Sequence, residues 1–306
     1  MIMNEEQAKR YALLVRKMFE DGDNVRDAGL ETPAYAERFD DIVYGTDCPK
    51  WQSLDVYRPK GTAGPLPVIL SVHGGGWVYG DKERYQYYCM SLVQFGFAVV
   101  NFSYRLAPEY KYPASFEDLD SVCRWIFDHR EEFGFDTDHV FAVGDSAGAH
   151  MLSLYCCALT NPSFRSTLPY SVQDQLRFRA VALNCGVYDL QKAKPEIRNL
   201  LQNLFPVSAG DAQWEQIDTC LHISAGFPPV YLMAASDDNL KEQTFLLKPL
   251  LEEYDIPFVF RVYGSDDHPL PHVFHCNMKL EDAFLCNREE TDFFRSCIEI
   301  RRKKSQ

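Results

Sequence analysis

The segment Val143–His150, VGDSAGAH, has the pattern Gly-x-Ser-x-Gly between two segments of different character. An apolar run at 140–143 precedes it, and a run of small and helix-forming residues at 147–160 follows it. This order predicts a strand, a sharp turn and a helix, with Ser146 at the apex of the turn. The two glycines leave room for the strained backbone that such a serine adopts. We therefore expect the Ser146 hydroxyl to stand exposed at the carboxyl end of a strand.

Apolar, strand-like runs alternate with helical patterns along the rest of the chain. The runs typical of strands lie at 39–44, 54–57, 66–72, 97–102, 179–184, 229–235 and 257–263. Further helical patterns lie at 114–129, 240–254 and 278–301. Strands that alternate with helices predict an α/β fold with a mostly parallel sheet, covered by helices on both faces.

Two stretches lie outside this alternation. Residues 4–20 have apolar positions at helical spacing with charges between them, which predicts a helical arm laid over the body. From there to about residue 32 the chain is charged and interrupted by glycine. Residues 186–227 contain short helical patterns broken by Pro195 and Pro206. Because that stretch is too long for a plain loop, we interpret it as an insertion.

The composition narrows the class of protein. A chain of 306 residues with 46% hydrophobic residues fits one large α/β domain with a decorating subdomain. A net charge of −13 disfavours nucleic acids and anionic membranes as partners, because both need a basic face. The ten cysteines include no Cys-x-x-Cys pair, and neither a signal peptide nor an apolar run of about 18 residues is visible. We expect a reduced, cytoplasmic protein that binds no membrane.

A nucleophilic serine needs a base to accept its proton and a carboxylate to orient that base. In this architecture the acid and then the histidine follow the serine in the chain, each just after a strand. Asp237 and Asp238 directly follow the run 229–235. We prefer Asp238 as the acid, because it leads into the next helix as a carboxylate at a strand end does. Capping of that helix is the competing role for either aspartate.

Three histidines, His268, His272 and His275, follow the last predicted strand. His272 lies shortly before an aromatic residue on the loop that enters the final helix, and it is our preferred base. His268 lies between an aspartate and a proline, which favours a solvated side chain, and His275 remains an alternative. The spacing of the three also resembles a metal cluster, but no fourth ligand is implied and the triad needs one of them. We expect no metal and no other cofactor.

A run of three glycines, Gly74–Gly76, follows the buried run 66–72. Glycines there allow the backbone to approach a reacting carbonyl closely. We expect the amides of Gly74 and Gly75, with that of Ala147 after the serine, to bind an oxyanion. A phosphate-binding loop is the alternative, but neither the Gly-x-Gly-x-x-Gly spacing nor a Walker lysine is present.

Three ordered motifs resemble the hormone-sensitive-lipase-like branch of the α/β-hydrolases, its carboxylesterase and acetyl-esterase group. They are HGGGW at 73–77, YRLAPE at 104–109 and GDSAG at 144–148, and the resemblance covers roughly residues 39–300. It implies a mostly parallel, eight-stranded sheet with a small helical cap. In the family the cap comes from an N-terminal arm and an insertion, here residues 1–38 and 187–227, within or beside a catalytic domain at 39–306.

The resemblance also implies a reaction, ester hydrolysis through an acyl-enzyme. By motif position Ser146 is the nucleophile, Asp238 the acid and His272 the base. The family usually has Asp-Pro-Leu at the acid and His-Gly-Phe at the base, whereas this chain has DNL at 238–240 and HVF at 272–274. Both differences leave Asp237 and His275 as alternatives.

These observations predict a serine carboxylesterase that acts on small esters with short, acetyl-like acyl groups. The alternative within the same fold is an amide or formamide hydrolase. A non-catalytic ligand-binding receptor is a further alternative, disfavoured because serine, acid and histidine occur in the required order. Aromatic residues in the arm and the insertion are candidates for the wall of an acyl pocket or for plain core: Tyr35, Phe205, Trp214 and Phe227.

Overall fold

Eight strands form one mixed sheet in a computed structural model that describes residues 3–205 and 211–304. The strands are β1 (Ala36–Val43), β2 (Ser53–Pro59), β3 (Leu66–Val72), β4 (Ala98–Phe102), β5 (Phe135–Asp145), β6 (Phe178–Asn184), β7 (Val230–Ala235) and β8 (Phe258–Tyr263). Their order across the sheet is β1-β2-β4-β3-β5-β6-β7-β8. Strands β1 and β2 pair antiparallel with their neighbours, and all the other pairs are parallel. The predicted mostly parallel, eight-stranded sheet is confirmed.

Helices pack on both faces of the sheet. Within the described residues they are α1 (Glu5–Asp27), α2 (Lys82–Val93), α3 (Ala114–Asp128), α4 (Ala147–Thr160), α5 (Pro162–Arg165), α6 (Pro195–Leu201), α7 (Asp211–Gln216), α8 (Thr219–His222), α9 (Lys241–Glu253) and α10 (Glu281–Lys304). A short 3-10 helix, Phe274–Cys276, precedes α10. No helix of the described residues is long and apolar enough to span a bilayer.

The sheet separates two hydrophobic cores. Successive side chains of a strand point to opposite faces, so Val68 and Leu70 of β3 pack in one core while Ile69 packs in the other. Both faces of the central strands are therefore buried, which explains their continuous apolar sequences. The carboxyl ends of the parallel strands meet at one edge, where the loops that carry the site residues begin.

Two local predictions need correction. Helix α1 continues through Gly22 to Asp27, and its N-terminus carries a capping box between Asn4 and Gln7. Helix α2, which the sequence analysis did not predict, forms the crossover that parallel strands β3 and β4 require. Its pattern is weakly amphipathic because most of its side chains are buried, including Tyr85 and Tyr88.

The stretch interpreted as an insertion contains α6, α7 and α8. Residues 206–210 of that stretch, with Pro206, lie outside the described residues, as do 1–2 and 305–306 of the expected arm and domain. All ten cysteines are free thiols, and seven of them are buried. They act as small apolar side chains of the core.

Candidate active site

Ser146 lies at a strained turn between β5 and α4. Its backbone has φ +52° and ψ −118°, a conformation that costs a residue with a side chain about 1–3 kcal/mol. The surrounding backbone leaves no space: a Cβ at Gly144 would lie 2.7 Å from the carbonyl oxygen of Gly148, and one at Gly148 would lie 2.0 Å from that of Val72. The Ser146 N–H donates to the Asn184 carbonyl at 2.9 Å. Ser146 therefore lies at the predicted turn between strand and helix, but it is half-buried and not exposed as expected.

The structure brings Asp238 and His272 together. His272 Nδ1 lies 3.0 Å from Asp238 Oδ1, and no other polar partner of this nitrogen is found among the described residues. The Asp238 side chain is fully buried, and the Leu240 N–H donates to Oδ1 at 2.7 Å. Burial alone would raise the pKa of Asp238, but His272 and this N–H outweigh it and hold that pKa below its usual value. The carboxylate is thus kept ionised beside the ring.

The other acid candidate lies apart from this pair. Asp237 is exposed, its N–H donates to the Leu270 carbonyl at 2.9 Å, and the structure places no histidine beside its carboxylate. The competing capping role also fails for Asp238, because helix α9 begins at Lys241 without a side-chain cap.

The alternative histidines have different surroundings. His268 is exposed, and its Nε2 lies 2.9 Å from Asp282. His275 is fully buried, with its ring edge-on to Tyr88, and burial lowers its pKa to about 3. Neither contacts an acid that follows β7. The possible cluster of the three histidines does not form among the described residues either.

A cavity of about 300 Å3 opens beside the serine. One wall contains Ser146, His272, Gly74 and Gly75, together with Tyr85 of α2 and Tyr79 of the loop that precedes α2. The opposite wall belongs to α1, with Met18, Phe19, Gly22, Asp23 and Arg26. The N-terminal helix therefore encloses the site. The four aromatic residues expected from sequence are not among the lining residues: Phe205 and Phe227 are buried elsewhere, Trp214 packs on the core, and Tyr35 lines another cavity.

The glycine loop differs from the prediction at its first residue. The Gly74 N–H donates to the Tyr85 hydroxyl at 3.0 Å, and that hydroxyl donates to Asp145 Oδ2 at 2.7 Å. The Gly74 N–H thus already has an acceptor within the protein, which corrects the expectation that this amide binds an oxyanion. Within the described residues the amides of Gly75 and Gly76 donate to no protein acceptor.

Gly75 needs its lack of a side chain. It adopts φ +109°, and a Cβ there would lie 2.1 Å from the Tyr79 carbonyl oxygen. The Ala147 N–H is the first of α4, one of the donors that an α-helix leaves without an internal acceptor. Donors that remain free beside a nucleophile are suited to bind a developing negative charge.

Helix α1 is held over the site by charged residues that the sequence analysis did not identify. Arg26 pairs within α1 with Asp23 at 2.9 Å and Asp27 at 2.7 Å, and it donates across to the Arg84 carbonyl of α2. Arg16 donates to Glu109 at 2.9 Å, which gives this motif carboxylate a structural role. No sequence motif marks Arg26 and Asp23 as site residues. They lie at the site because of how α1 packs on helix α2, which was not predicted.

Comparison with known proteins places the chain in a family. Residues 54–248 match the family model described as BD-FAE, which is more than half of the chain. The chain belongs to the BD-FAE family. This assignment and the fold confirm the resemblance to the esterase branch of the α/β-hydrolases.

Relatives of this BD-FAE chain include named esterases. The probable carboxylic ester hydrolase LipM of Mycobacterium tuberculosis is 29% identical over 210 residues, covering 65% of this chain and 48% of LipM. The versiconal hemiacetal acetate esterase of Dothistroma septosporum is 27% identical over 262 residues, covering 79% and 76% of the two chains. The match to LipM thus spans about half of that relative's length.

A solved structure supports the fold of the BD-FAE chain. Esterase B from Lactobacillus rhamnosis has a TM-score of 0.88 at 24% sequence identity, over 97% of this chain and 98% of that chain. At this sequence identity the likeness shows that the two chains share the fold.

Proposed function

We propose that the protein is a serine carboxylesterase that hydrolyses small esters with short acyl groups. The observation that carries this proposal is the distance of 3.0 Å between His272 Nδ1 and Oδ1 of the buried Asp238. The His272 ring lines the same cavity as Ser146. An oriented imidazole beside a strained serine is the arrangement that activates a hydroxyl nucleophile.

The proposed reaction has two halves. His272 accepts the proton of the Ser146 hydroxyl through Nε2 while the serine oxygen attacks the ester carbonyl. Asp238 holds the Nδ1–H and stabilises the imidazolium that forms. The leaving alcohol takes the proton from His272, and a water molecule activated by the same ring then releases the acid from Ser146. The negative charge that develops on the carbonyl oxygen is bound by the amides of Ala147, Gly75 and Gly76.

The cap is also part of the proposal. We propose that residues 1–38 and the insertion at about 187–227 form it over a catalytic domain at 39–306. The α1 side chains on the cavity wall support the first part. The second part is supported by contacts of the insertion with the motifs: His150 Nε2 lies 2.7 Å from the Ile217 carbonyl, and Leu200 packs against Gly76.

The size of the cavity and the name of one relative both support a short acyl group. A volume of about 300 Å3 lies at the lower end of the range for small-molecule sites, and Phe19 and Tyr79 limit it with rings 5.8 Å apart. The relative that covers most of this chain among those above is named for an acetate ester. The ten free cysteines support a reducing compartment such as the cytoplasm.

The test is hydrolysis of a p-nitrophenyl ester series from acetate to decanoate, with the Ser146→Ala protein as blank. We expect turnover that falls steeply beyond butyrate and is lost in the variant, while the variant keeps the unfolding midpoint of the wild type. Turnover that survives in Ser146→Ala would refute the serine mechanism. Absence of turnover on every ester, with turnover of formamides or anilides, would assign the site to amide hydrolysis.

A further inference from the structure

A third side chain lies beside the proposed acid and base. Cys185 directly follows β6, and its Sγ, a carboxylate oxygen of Asp238 and a ring nitrogen of His272 all lie within 4.8 Å of one another. Cys185 is fully buried and adopts φ +51°, with its N–H donating to the Met233 carbonyl at 2.8 Å. The thiol lies 3.8 Å from Met233 Sδ and beside the proposed acid and base.

We propose that Cys185, Asp238 and His272 form an inhibitory site for a soft divalent cation, with Zn2+ as the ion that fits best. The inhibition rests on the proposed roles of Asp238 and His272, whereas binding of the ion does not. A thiolate, an imidazole nitrogen and a carboxylate oxygen are the donors that zinc prefers. Mg2+ and Ca2+ prefer sets made only of oxygen ligands, so they do not fit.

Two of the proposed ligands have a donor atom that makes no other hydrogen bond in the described residues. Asp238 Oδ2 is buried and accepts no hydrogen bond, and His272 Nδ1 has only the carboxylate beside it. Donor atoms of a tetrahedral zinc site lie roughly 3.4–3.8 Å apart, given bond lengths of about 2.0–2.3 Å. His272 Nδ1 and Asp238 Oδ1, now 3.0 Å apart, must separate slightly, and Cys185 Sγ must lie within this range of both. His272 can move because it lies on a loop and its side chain is 33% exposed.

Binding exchanges one proton for the ion. Zinc binds the thiolate and not the thiol, so the Cys185 proton leaves to solvent as the S–Zn bond forms. When the ion binds Nδ1 of His272, the ring proton moves from Nδ1 to Nε2. The ring then no longer pairs with Asp238 through Nδ1 and cannot accept the serine proton at Nε2, so turnover falls reversibly.

A second cluster of donors serves as the internal control. Asp145, His275 and Cys276 also lie within 4.8 Å of one another, but all three are buried. The guanidinium of Arg26 acts electrostatically on Cys276, and its positive charge disfavours a cation there. Access and charge therefore both favour the Cys185 site.

The binding test uses untagged Ser146→Ala protein, which keeps every proposed ligand. Calorimetric titration with ZnCl2 should show one ion per chain and proton release. The additional change Cys185→Ala should weaken binding at least tenfold, and Cys276→Ala should change it less than twofold. Cd2+ should produce a sulfur-to-metal ultraviolet absorption that Cys185→Ala removes. Equal binding with and without Cys185, or loss of binding in Cys276→Ala, would overturn the site.

The inhibition test uses the protein with Ser146 in place. Zn2+ should lower ester turnover, EDTA should restore it, and the half-inhibitory concentration should rise at least tenfold in Cys185→Ala and in the size-conserving Cys185→Ser, each relative to its own metal-free rate. Thermal unfolding verifies that both variants are folded. Zinc binding at Cys185 without inhibition would overturn the inhibitory role. If no ester is hydrolysed at all, the proposed function fails, while calorimetry still decides the metal site.

Discussion

Asp145 and Asp238 are buried carboxylates on two sides of Ser146, and their surroundings move their pKa values in opposite directions. Burial raises the pKa of Asp145 to about 6, and the hydrogen bond from the Tyr85 hydroxyl offsets this rise only in part. Asp238 is also buried, but the adjacent His272 lowers its pKa. The comparison shows that the partners of a buried carboxylate, here His272 and the Leu240 N–H, decide whether it stays ionised despite burial. The ionised Asp238 can therefore orient a base, whereas Asp145 supports the glycine loop through Tyr85.

The largest expected effect is a difference in kcat between variants of the two carboxylates. Asp238→Asn should lower kcat by about 10⁴-fold, because the amide favours the wrong tautomer of His272. Asp145→Asn keeps an acceptor for Tyr85 and should lower kcat less than about tenfold. The measurement is kcat on p-nitrophenyl acetate for both variants. Equal losses in the two variants would contradict the division of roles.

The second effect concerns stability against pH. Between 3.8 and about 6 the folded protein keeps a proton on Asp145 that the unfolded chain has lost, so this group lowers the free energy of unfolding as pH rises, by at most about 3 kcal/mol. Asp238 acts in the opposite sense: its stabilisation is present above 3.8 and is lost as pH falls toward its lowered pKa.

Urea unfolding at several pH values between about 4 and 7 measures both contributions. Relative to wild type, Asp145→Asn should gain stability as pH rises through this interval, whereas Asp238→Asn should gain none. Parallel profiles for Asp145→Asn and wild type would show that Asp145 does not retain its proton in the folded state.

A smaller effect is expected at Tyr85, which connects Asp145 to the glycine loop. Tyr85→Phe leaves the Gly74 N–H and the Asp145 oxygen without their partner, which should cost about 1–3 kcal/mol of stability and about tenfold in kcat. Tyr88→Phe is the matched control, because Tyr88 is buried on the same helix but donates to Glu290 only at 3.4 Å. If the two variants lose equal activity, the loop does not depend on Tyr85.

The smallest effect is expected on the α1 side of the cavity. Phe19→Ala should enlarge the cavity next to Tyr79 and shift the preferred acyl chain toward hexanoate, raising the hexanoate-to-acetate ratio of kcat/KM by roughly tenfold. Leu14→Ala changes an exposed residue of the same helix outside the cavity and is the control. An unchanged ratio in Phe19→Ala would show that the acyl group does not reach α1.

The sequence predicted the parts of the site that local chemistry decides. The turn at Ser146 follows from glycines that the backbone requires, and the pair of Asp238 and His272 follows from the rule that site residues succeed strands of a parallel sheet. The alternation of strands and helices along the chain was sufficient to predict the α/β fold class. These features each depend on a few neighbouring residues.

The parts that were missed depend on packing between distant segments. The hydrogen bond of Gly74 to Tyr85 exists because α2 packs beside the glycine loop, and the buried surface of α2 hid its helical pattern. The cavity wall belongs to Phe19 and Arg26 because α1 extends through Gly22 and lies across the loop. Cys185 belongs to no sequence motif, and only the fold shows that its thiol lies near Asp238.

The most direct test of the central claim is covalent labelling by a short-chain p-nitrophenyl alkylphosphonate, followed by peptide mass spectrometry. We predict a single adduct, on Ser146, with none in Ser146→Ala and with labelling slowed by orders of magnitude in Asp238→Asn but not in Asp145→Asn. An adduct on another residue, or undiminished labelling of the Ser146→Ala protein, would contradict it.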